Sequence, residues 1–114
     1  MAMKIAMTGA TGFVGAEVLA RALAAGMSVQ ALARRASPPQ ARLKWVHGSL
    51  EDGRALDRLV RDVDAVIHIA GVVNAPDRAG FEAGNALGTM ALVDAMRRRG
   101  VRRLVHVSSL AARE

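Results

Sequence analysis

Cysteine and tyrosine are both absent from the 114 residues of this chain. Without cysteine, the chain can form no disulfide, no thiolate nucleophile and no cysteine-ligated metal site. Without tyrosine, it cannot itself supply a phenol for acid–base catalysis. Aromatic residues make up only 3%, too few for the stacking platforms that hold single-stranded nucleic acid. Three prolines against eleven glycines favour tight turns over a proline-rich linker.

Long apolar runs are also missing, and none reaches the roughly 20 residues that a membrane-spanning helix needs. The first residues lack the layout of a signal peptide, so we expect a soluble cytoplasmic protein. The length suits one domain, over residues 1–114, and 52% hydrophobic against 23% charged residues allows a buried core. A net charge of +6 permits an anionic partner, whether nucleic acid, acidic lipid or a phosphate-bearing cofactor.

Short apolar segments alternate with longer segments of helical periodicity. The predicted strands cover residues 4–7, 28–33, 44–47, 65–70 and 104–107, and the predicted helices cover 13–25, 52–60 and 81–99. Strands separated by helices pair in parallel through right-handed crossovers. We therefore predict an α/β fold with a doubly wound parallel sheet of the Rossmann type. The expected strand order is 3-2-1-4-5, with the C-terminal part of the full fold missing.

A glycine-rich turn joins the first predicted strand to the first predicted helix. Its sequence is Thr8-Gly9-Ala10-Thr11-Gly12-Phe13-Val14-Gly15, the context in which such a motif binds a dinucleotide. Gly9 would let the chain turn sharply, Gly12 would leave room for a pyrophosphate, and Gly15 would let the helix pack closely on the sheet. The N–H groups of the helix N-terminus would then face the phosphates. The alternative is a tight turn without a ligand. The predicted cofactor contacts here are Gly9, Thr11, Gly12, Phe13, Val14 and Gly15.

The second predicted strand runs into Arg34 and Arg35. NAD-selective sites usually carry an acidic residue at this place, where it accepts hydrogen bonds from the ribose 2′-hydroxyl. Two guanidinium groups suit a 2′-phosphate instead. We therefore expect NADP rather than NAD as the cofactor, with Arg34 as the main contact and Arg35 beside it. The alternative is a pair of solvated loop arginines.

Four further segments carry motifs of one protein family. Gly48-Ser49-Leu50 follows the third predicted strand, and His68-Ile69-Ala70-Gly71 spans the end of the fourth. Asn85-Ala86-Leu87-Gly88-Thr89 lies in the long helix, and Val107-Ser108-Ser109 ends the fifth strand. With the glycine turn, these segments resemble the extended branch of the short-chain dehydrogenases/reductases, the NAD-dependent epimerase/dehydratase family, over essentially the whole chain.

The resemblance adds residues to the predicted cofactor site. It places Ser49 and Leu50 at the adenine, with Ser49 standing where the family has an acid that contacts the adenine amino group. It places Ala70 and Gly71 beside the cofactor ribose. It gives Asn85 a role in bridging backbone groups near the active site.

The catalytic residue that the resemblance implies is Ser109, with Ser108 as the second choice. This hydroxyl would hydrogen-bond the substrate oxygen while hydride moves to or from the nicotinamide. The implied enzyme is an oxidoreductase, epimerase or dehydratase acting at a hydroxyl or carbonyl carbon, with a nucleotide-linked sugar as one candidate substrate. The family's Tyr-x-x-x-Lys pair is absent. We therefore expect the cofactor-binding part of a longer enzyme, catalytically incompetent alone.

Other functions compete with this interpretation. A non-catalytic, NADP-binding redox sensor of the same wider family is the alternative to an enzyme. The arginine-rich residues 97–103 could bind nucleic acid, but cations at a helix end also stabilise its dipole, so we expect no nucleic-acid partner. His47, His68 and His106 are far apart in sequence, and we predict no metal site. We expect a small-molecule substrate and no membrane partner, and a homo-oligomer stays open.

Overall fold

The computed structural model describes residues 3–35, 37–69 and 78–107, with the side chains of the third helix from Ala86 onwards. Strands and helices alternate along the chain. The elements are β1 (Lys4–Thr8), α1 (Phe13–Ala24), β2 (Ser28–Ala33), β3 (Leu43–His47), α2 (Gly53–Leu59), β4 (Ala65–Ile69), α3 (Arg78–Arg99) and β5 (Leu104–Val107). None of the described helices is long and apolar enough to cross a membrane.

The strands form one parallel sheet in the order β3-β2-β1-β4-β5, which confirms the predicted fold and strand order. Strands β2 and β3 lie on one side of β1, and β4 and β5 lie on the other side. In such a sheet, the crevice at the carboxyl ends of the strands, where the order reverses, is the place where ligands bind. Here that crevice lies beyond Thr8 and Ile69, which end β1 and β4.

The element boundaries differ from the predictions by a few residues. The sequence predicted α3 from residue 81, whereas it begins at Arg78, because its first turn carries no apolar periodicity to mark it. Helix α2 is shorter than predicted, since Asp52 caps it: the Asp52 carboxylate accepts hydrogen bonds from the N–H groups of Arg54 and Ala55. The predicted last residue of β4, Ala70, lies outside the described residues.

Helices cover both faces of the sheet, so β1 is buried on both sides. Alternate residues of each strand point to opposite faces, and two apolar clusters result. The cluster under α2 and α3 includes Ala6, Val46, Leu56, Leu59, Val66, Leu92 and Met96. The cluster under α1 includes Ile5, Met7, Leu19, Ala22, Val29 and Ile69.

A buried polar cluster joins β1, β4 and α3 just below the carboxyl edge of the sheet. The ring of His68 is fully buried, with Nδ1 hydrogen-bonded to the Thr8 hydroxyl and Nε2 lying 2.9 Å from the Thr89 hydroxyl. The Thr8 oxygen also accepts the N–H of Ile69 at 3.1 Å. A neutral ring with its proton on Nε2 satisfies this arrangement: Thr8 donates to Nδ1, and Nε2–H donates to Thr89. Both ring nitrogens of His68 are thus hydrogen-bonded within the fold.

The environment of His68 opposes a positive charge on its ring. Burial and, to a smaller extent, the charge of the nearby His106 together lower the pKa of His68 from 6.5 to about 4. The two rings are stacked, with centroids 5.0 Å apart and planes at 21°. The hydrogen-bonded neutral ring is therefore part of the folded state at neutral pH, and protonation of Nδ1 would abolish the hydrogen bond that Thr8 donates to it.

We expect acid to destabilise the chain through His68. Because the pKa is lowered in the folded state, the stabilisation is fully present above pH 6.5 and is lost as the pH falls towards 4. Through His68, the free energy of unfolding falls by about 2 kcal/mol at pH 5 and by roughly 3 kcal/mol near pH 4. Urea unfolding between pH 7 and pH 4 measures it. His68→Gln should flatten the pH dependence while the exposed His106 is kept; equal slopes in both chains would contradict the assignment.

Candidate functional site

The glycine turn leaves β1 through a left-handed residue. Gly9 has a φ of +73°, and its carbonyl oxygen accepts the N–H of Gly12 at 3.2 Å, which closes the turn. A Cβ atom on Gly9 would lie 2.6 Å from the carbonyl oxygen of Ile69. Both the backbone conformation and the contact with β4 therefore require glycine at this position.

Gly15 is also required by the fold, although its contact differs from the expected one. The sequence predicted that Gly15 lets α1 pack closely on the sheet. Instead, a Cβ atom on Gly15 would lie 1.7 Å from the carbonyl oxygen of Gly9 and 2.9 Å from the Cα atom of Ala10. The first turn of α1 therefore packs against the glycine turn itself. The spacing from Gly9 to Gly15 is fixed by this backbone contact.

The described part of the fold does not require glycine at position 12. Its φ of −80° is accessible to any residue, and the nearest atom to an added Cβ would be the Gly9 carbonyl oxygen at 3.5 Å. As the N-cap of α1, Gly12 offers no side-chain acceptor, and the N–H groups of the first helical turn have no partner within the helix. Phe13 and Val14 expose 87% and 48% of their surface, so any phosphate contact they make comes from backbone N–H groups.

A cleft of about 580 Å³ opens at the carboxyl edge of the sheet, between the glycine turn, the end of β2 and the segment after β3. It brings together residues that lie far apart in the sequence. Six predicted cofactor residues line it: Gly9, Thr11, Arg34, Arg35, Ser49 and Leu50. Arg34 and Arg35 are exposed, and among the described lining residues they alone carry charge. The cleft therefore presents a positive wall opposite the glycine turn.

The segment after β3 is held in place by backbone and side-chain contacts. Gly48 donates its N–H to the carbonyl of Ala33 at 2.9 Å, which ties the ends of β2 and β3 together. The hydroxyl of Ser49 accepts the N–H of Glu51 at 3.3 Å, so Ser49 supports the turn that leads into α2. The adenine contact of Ser49 stays a prediction, and the hydroxyl keeps its proton and a second lone pair for it.

Sequence reasoning missed two features of the cleft. Ser37 lines it, although the adjacent prolines predicted only a surface loop; the Pro38 carbonyl accepts the indole N–H of Trp45 at 3.0 Å. Gly88 of α3 sits against Leu50, where an added Cβ would lie 3.0 Å from the Leu50 Cδ1 atom. The glycine in the Asn-x-x-Gly-Thr segment was the available signal for this close approach.

The remaining predicted residues cannot be placed. Ala70, Gly71, Ser108 and Ser109 lie outside the described residues, and the side chain of Asn85 lies outside them as well. The catalytic role of Ser109 and the ribose contacts therefore stay predictions. Within residues 3–35, 37–69 and 78–107, no group of histidine and carboxylate side chains could hold a metal ion.

Known proteins share both the sequence pattern and the fold. The pattern of the NAD dependent epimerase/dehydratase family matches residues 5–112. A ceramide reductase of Caulobacter vibrioides is 42% identical, over 96% of this chain and 36% of the relative. Sterol demethylase protein B of Methylococcus capsulatus is 36% identical, over 96% of this chain and 35% of the relative.

A solved structure shows the same relation. A short-chain dehydrogenase/reductase superfamily protein from Agrobacterium tumefaciens, with bound NAD, superposes with a TM-score of 0.77 at 41% identity. The match covers 93% of this chain and 32% of that one, so the chain spans about a third of the proteins it matches. The fold, the glycine turn and these matches agree: the chain belongs to the NAD-dependent epimerase/dehydratase family of short-chain dehydrogenases/reductases.

Proposed function

We propose that this chain binds a nicotinamide dinucleotide in the cleft at the carboxyl edge of its sheet, and that it selects NADP(H) over NAD(H). The observation that carries the proposal is the composition of the cleft. A glycine turn that opens a helix borders one side, and Arg34 and Arg35 border the other, with no carboxylate among the described lining residues. Phosphate groups are stabilised at both of these sides.

Gly12 supports the pyrophosphate end of this proposal. The described protein leaves room for a side chain at this position, yet the residue is glycine. A ligand that approaches the backbone closely accounts for glycine here, whereas Gly9 and Gly15 are accounted for by the fold itself. The unpaired N–H groups at the start of α1 then point towards the phosphate oxygens.

The arginine pair supports the choice of NADP. Arg34 and Arg35 follow β2 directly, at the place where the ribose of the adenosine half would lie. A guanidinium group can form two parallel hydrogen bonds to a phosphate, whereas a ribose hydroxyl offers no comparable charge. The Agrobacterium structure holds NAD, so the preference for NADP is a distinguishing property proposed for this chain.

The proposed chemistry is that of an oxidoreductase, epimerase or dehydratase. The bound dinucleotide would supply or accept a hydride at a hydroxyl or carbonyl carbon of the substrate. Because the sequence contains no tyrosine, these 114 residues cannot supply a phenol as the acid–base group. We therefore expect cofactor binding without turnover from the chain alone. For the substrate, the relatives that act on a ceramide and on a sterol favour a lipid over the nucleotide-linked sugar.

Removing one guanidinium group should reveal the cofactor preference. We expect the unsubstituted chain to bind NADP⁺ more tightly than NAD⁺, and Arg34→Gln to weaken NADP⁺ binding by about tenfold to 100-fold because a charge-assisted hydrogen bond is lost. NAD⁺ binding should change little. Isothermal titration calorimetry at fixed salt measures all these dissociation constants.

The control for this experiment is Arg102→Gln, which removes an exposed arginine at the opposite edge of the sheet. It should leave both dissociation constants nearly unchanged. Equal affinities for the two cofactors in the unsubstituted chain, or tighter binding of NAD⁺, would overturn the preference for NADP. Failure of both to bind at millimolar concentration would overturn the dinucleotide site itself.

Alanine at the turn glycines should separate binding from folding. Gly12→Ala should change the free energy of unfolding by less than about 1 kcal/mol, since the described protein has room for the Cβ atom. It should nevertheless weaken dinucleotide binding at least about tenfold, because the methyl group would stand where the pyrophosphate approaches. Gly15→Ala should destabilise the fold by roughly 1–3 kcal/mol or more, because the Cβ atom would meet the Gly9 backbone.

The matched control is Gly53→Ala in the first turn of α2, where an added Cβ has nothing within 4 Å. The melting temperature should stay the same or rise slightly, since alanine favours a helix over glycine, and cofactor affinity should be nearly unchanged. If Gly12→Ala retained full affinity, the pyrophosphate would not lie at this turn. A large loss of stability in Gly12→Ala would show that the fold requires this glycine after all.

A further inference from the structure

A second cavity, of about 350 Å³, lies between α2 and the β1–β2–β3 part of the sheet. It extends towards the amino edge, where Lys4 begins β1 and Lys44 is the second residue of β3. From the other side, Arg58 and Arg61 reach in from the end of α2 and the turn that follows it. None of the residues that line this cavity lines the cleft proposed for the dinucleotide.

The charge around this cavity is strongly one-sided. Four cationic side chains, those of Lys4, Lys44, Arg58 and Arg61, line it with a single carboxylate, that of Asp62. The ion pairs found within the described residues join Arg21 to Glu17 and Arg98 to Asp57, and neither involves a cation of this cavity. Like charges held together in a concave surface raise the local concentration of anions.

The end of α2 is arranged so that its carbonyl groups do not repel an anion. A helix C-terminus normally presents unpaired carbonyl oxygens, which carry partial negative charge. Here the buried amide of Gln30 donates to them: its Nε2 lies 2.7 Å from the Leu59 oxygen and 3.3 Å from the Arg61 oxygen. These carbonyl oxygens are therefore hydrogen-bonded to a side chain of β2. The cationic side chains remain the dominant electrostatic feature at this end of the helix.

The carboxylate that contacts the backbone of Lys4 is that of Asp64, which does not line the cavity. The carboxylate of Asp64 accepts the backbone N–H of Lys4 at 2.8 Å and thereby fixes the start of β1 against the turn before β4. Arg58 also donates to the carbonyl of His47 at 3.3 Å, which holds its side chain along β3 at the cavity. The fold therefore holds the side chain of Arg58 and the backbone of Lys4 in place, while the side chains of Lys44 and Arg61 are exposed at the rim of the cavity.

We propose that this cavity is a second anion site, which takes a compact polyanion with two or more linked phosphoryl groups. Lysine binds phosphate as a point charge and arginine binds it through two parallel hydrogen bonds, and the cavity offers two residues of each kind. Its volume lies near the lower end of the range for small-ligand pockets, so it suits a short phosphate chain better than an extended nucleic-acid backbone. The site would operate independently of the dinucleotide cleft.

The test uses inorganic tripolyphosphate as the probe, titrated into the chain by calorimetry with NADP⁺ present at a saturating concentration. Lys44→Gln and Arg61→Gln should each weaken tripolyphosphate binding about fivefold, and the double variant should lose most of it. NADP⁺ binding should be unchanged in these variants. Arg34→Gln should show the reverse pattern, with weaker NADP⁺ binding and unchanged tripolyphosphate binding.

Arg102→Gln is the matched control, because it removes the same charge from the amino edge without lining the cavity. An equal loss in this control would show that net charge alone attracts the probe, and would overturn the proposal. When tripolyphosphate is added, the NMR chemical shifts of the backbone amides should change at Lys4, Gln30, Lys44 and Arg61. Changes confined to the glycine turn would also overturn the proposal. A melting temperature unchanged by Lys44→Gln and Arg61→Gln would exclude unfolding as the cause of lost binding.

Two further probes identify the source of the phosphate chain. Equal affinity for ATP and tripolyphosphate would support a site for the phosphate chain alone, and tighter binding of ATP would support one for a nucleoside triphosphate. Oligonucleotides provide the contrasting case. If they alone bound, with an affinity that rises with length and falls steeply with salt, the cavity would be part of a nucleic-acid surface and the proposal would be wrong.

Discussion

The contact between the Gly9 carbonyl and the first turn of α1 is the constraint on which the carboxyl edge of the sheet depends. With a hypothetical Cβ on Gly15 only 1.7 Å from that oxygen, the helix can begin where it does only if no side chain intervenes. Gly9 in turn rests against the backbone of Ile69, the last residue of β4. Strand, turn, helix and neighbouring strand therefore meet through backbone atoms. The free N–H groups of α1 are presented at the crevice of the sheet as a consequence.

Polar contacts just below this junction hold the same elements together from inside. Thr8 precedes Gly9 directly, and its hydroxyl is bonded both to His68 and to the N–H of Ile69. His68 continues the connection to Thr89 in α3. A buried polar group costs free energy unless its hydrogen bonds are satisfied, so this cluster tolerates little displacement. The hydrogen bonds of this cluster, directly below the glycine turn, thus oppose movement of β1 relative to β4.

The sequence was sufficient for the fold and for six of the residues that line the cleft, because these depend on local patterns. Alternating apolar and helical segments defined the strand order, and the Gly-x-x-Gly-x-x-Gly spacing located the turn. What it could not give were contacts between distant residues. The packing of Gly88 on Leu50, the place of Ser37 in the cleft and the partner of Gly15 all depend on how separate elements approach one another. The start of α3 at Arg78 was missed because its first turn lacks apolar periodicity.

The contact between α3 and the loop after β3 has a consequence for natural variation in this fold. Gly88 and Thr89 are neighbours in one helix, yet Gly88 faces Leu50 and Thr89 is bonded to His68. Neither residue can be exchanged without regard to its partner on another element. A homologue with a side chain at position 88 should therefore carry a smaller residue at position 50, and one without a hydroxyl at position 89 should replace the histidine at 68. The residues at these paired positions should therefore vary together among homologues, because each pair packs α3 against another element.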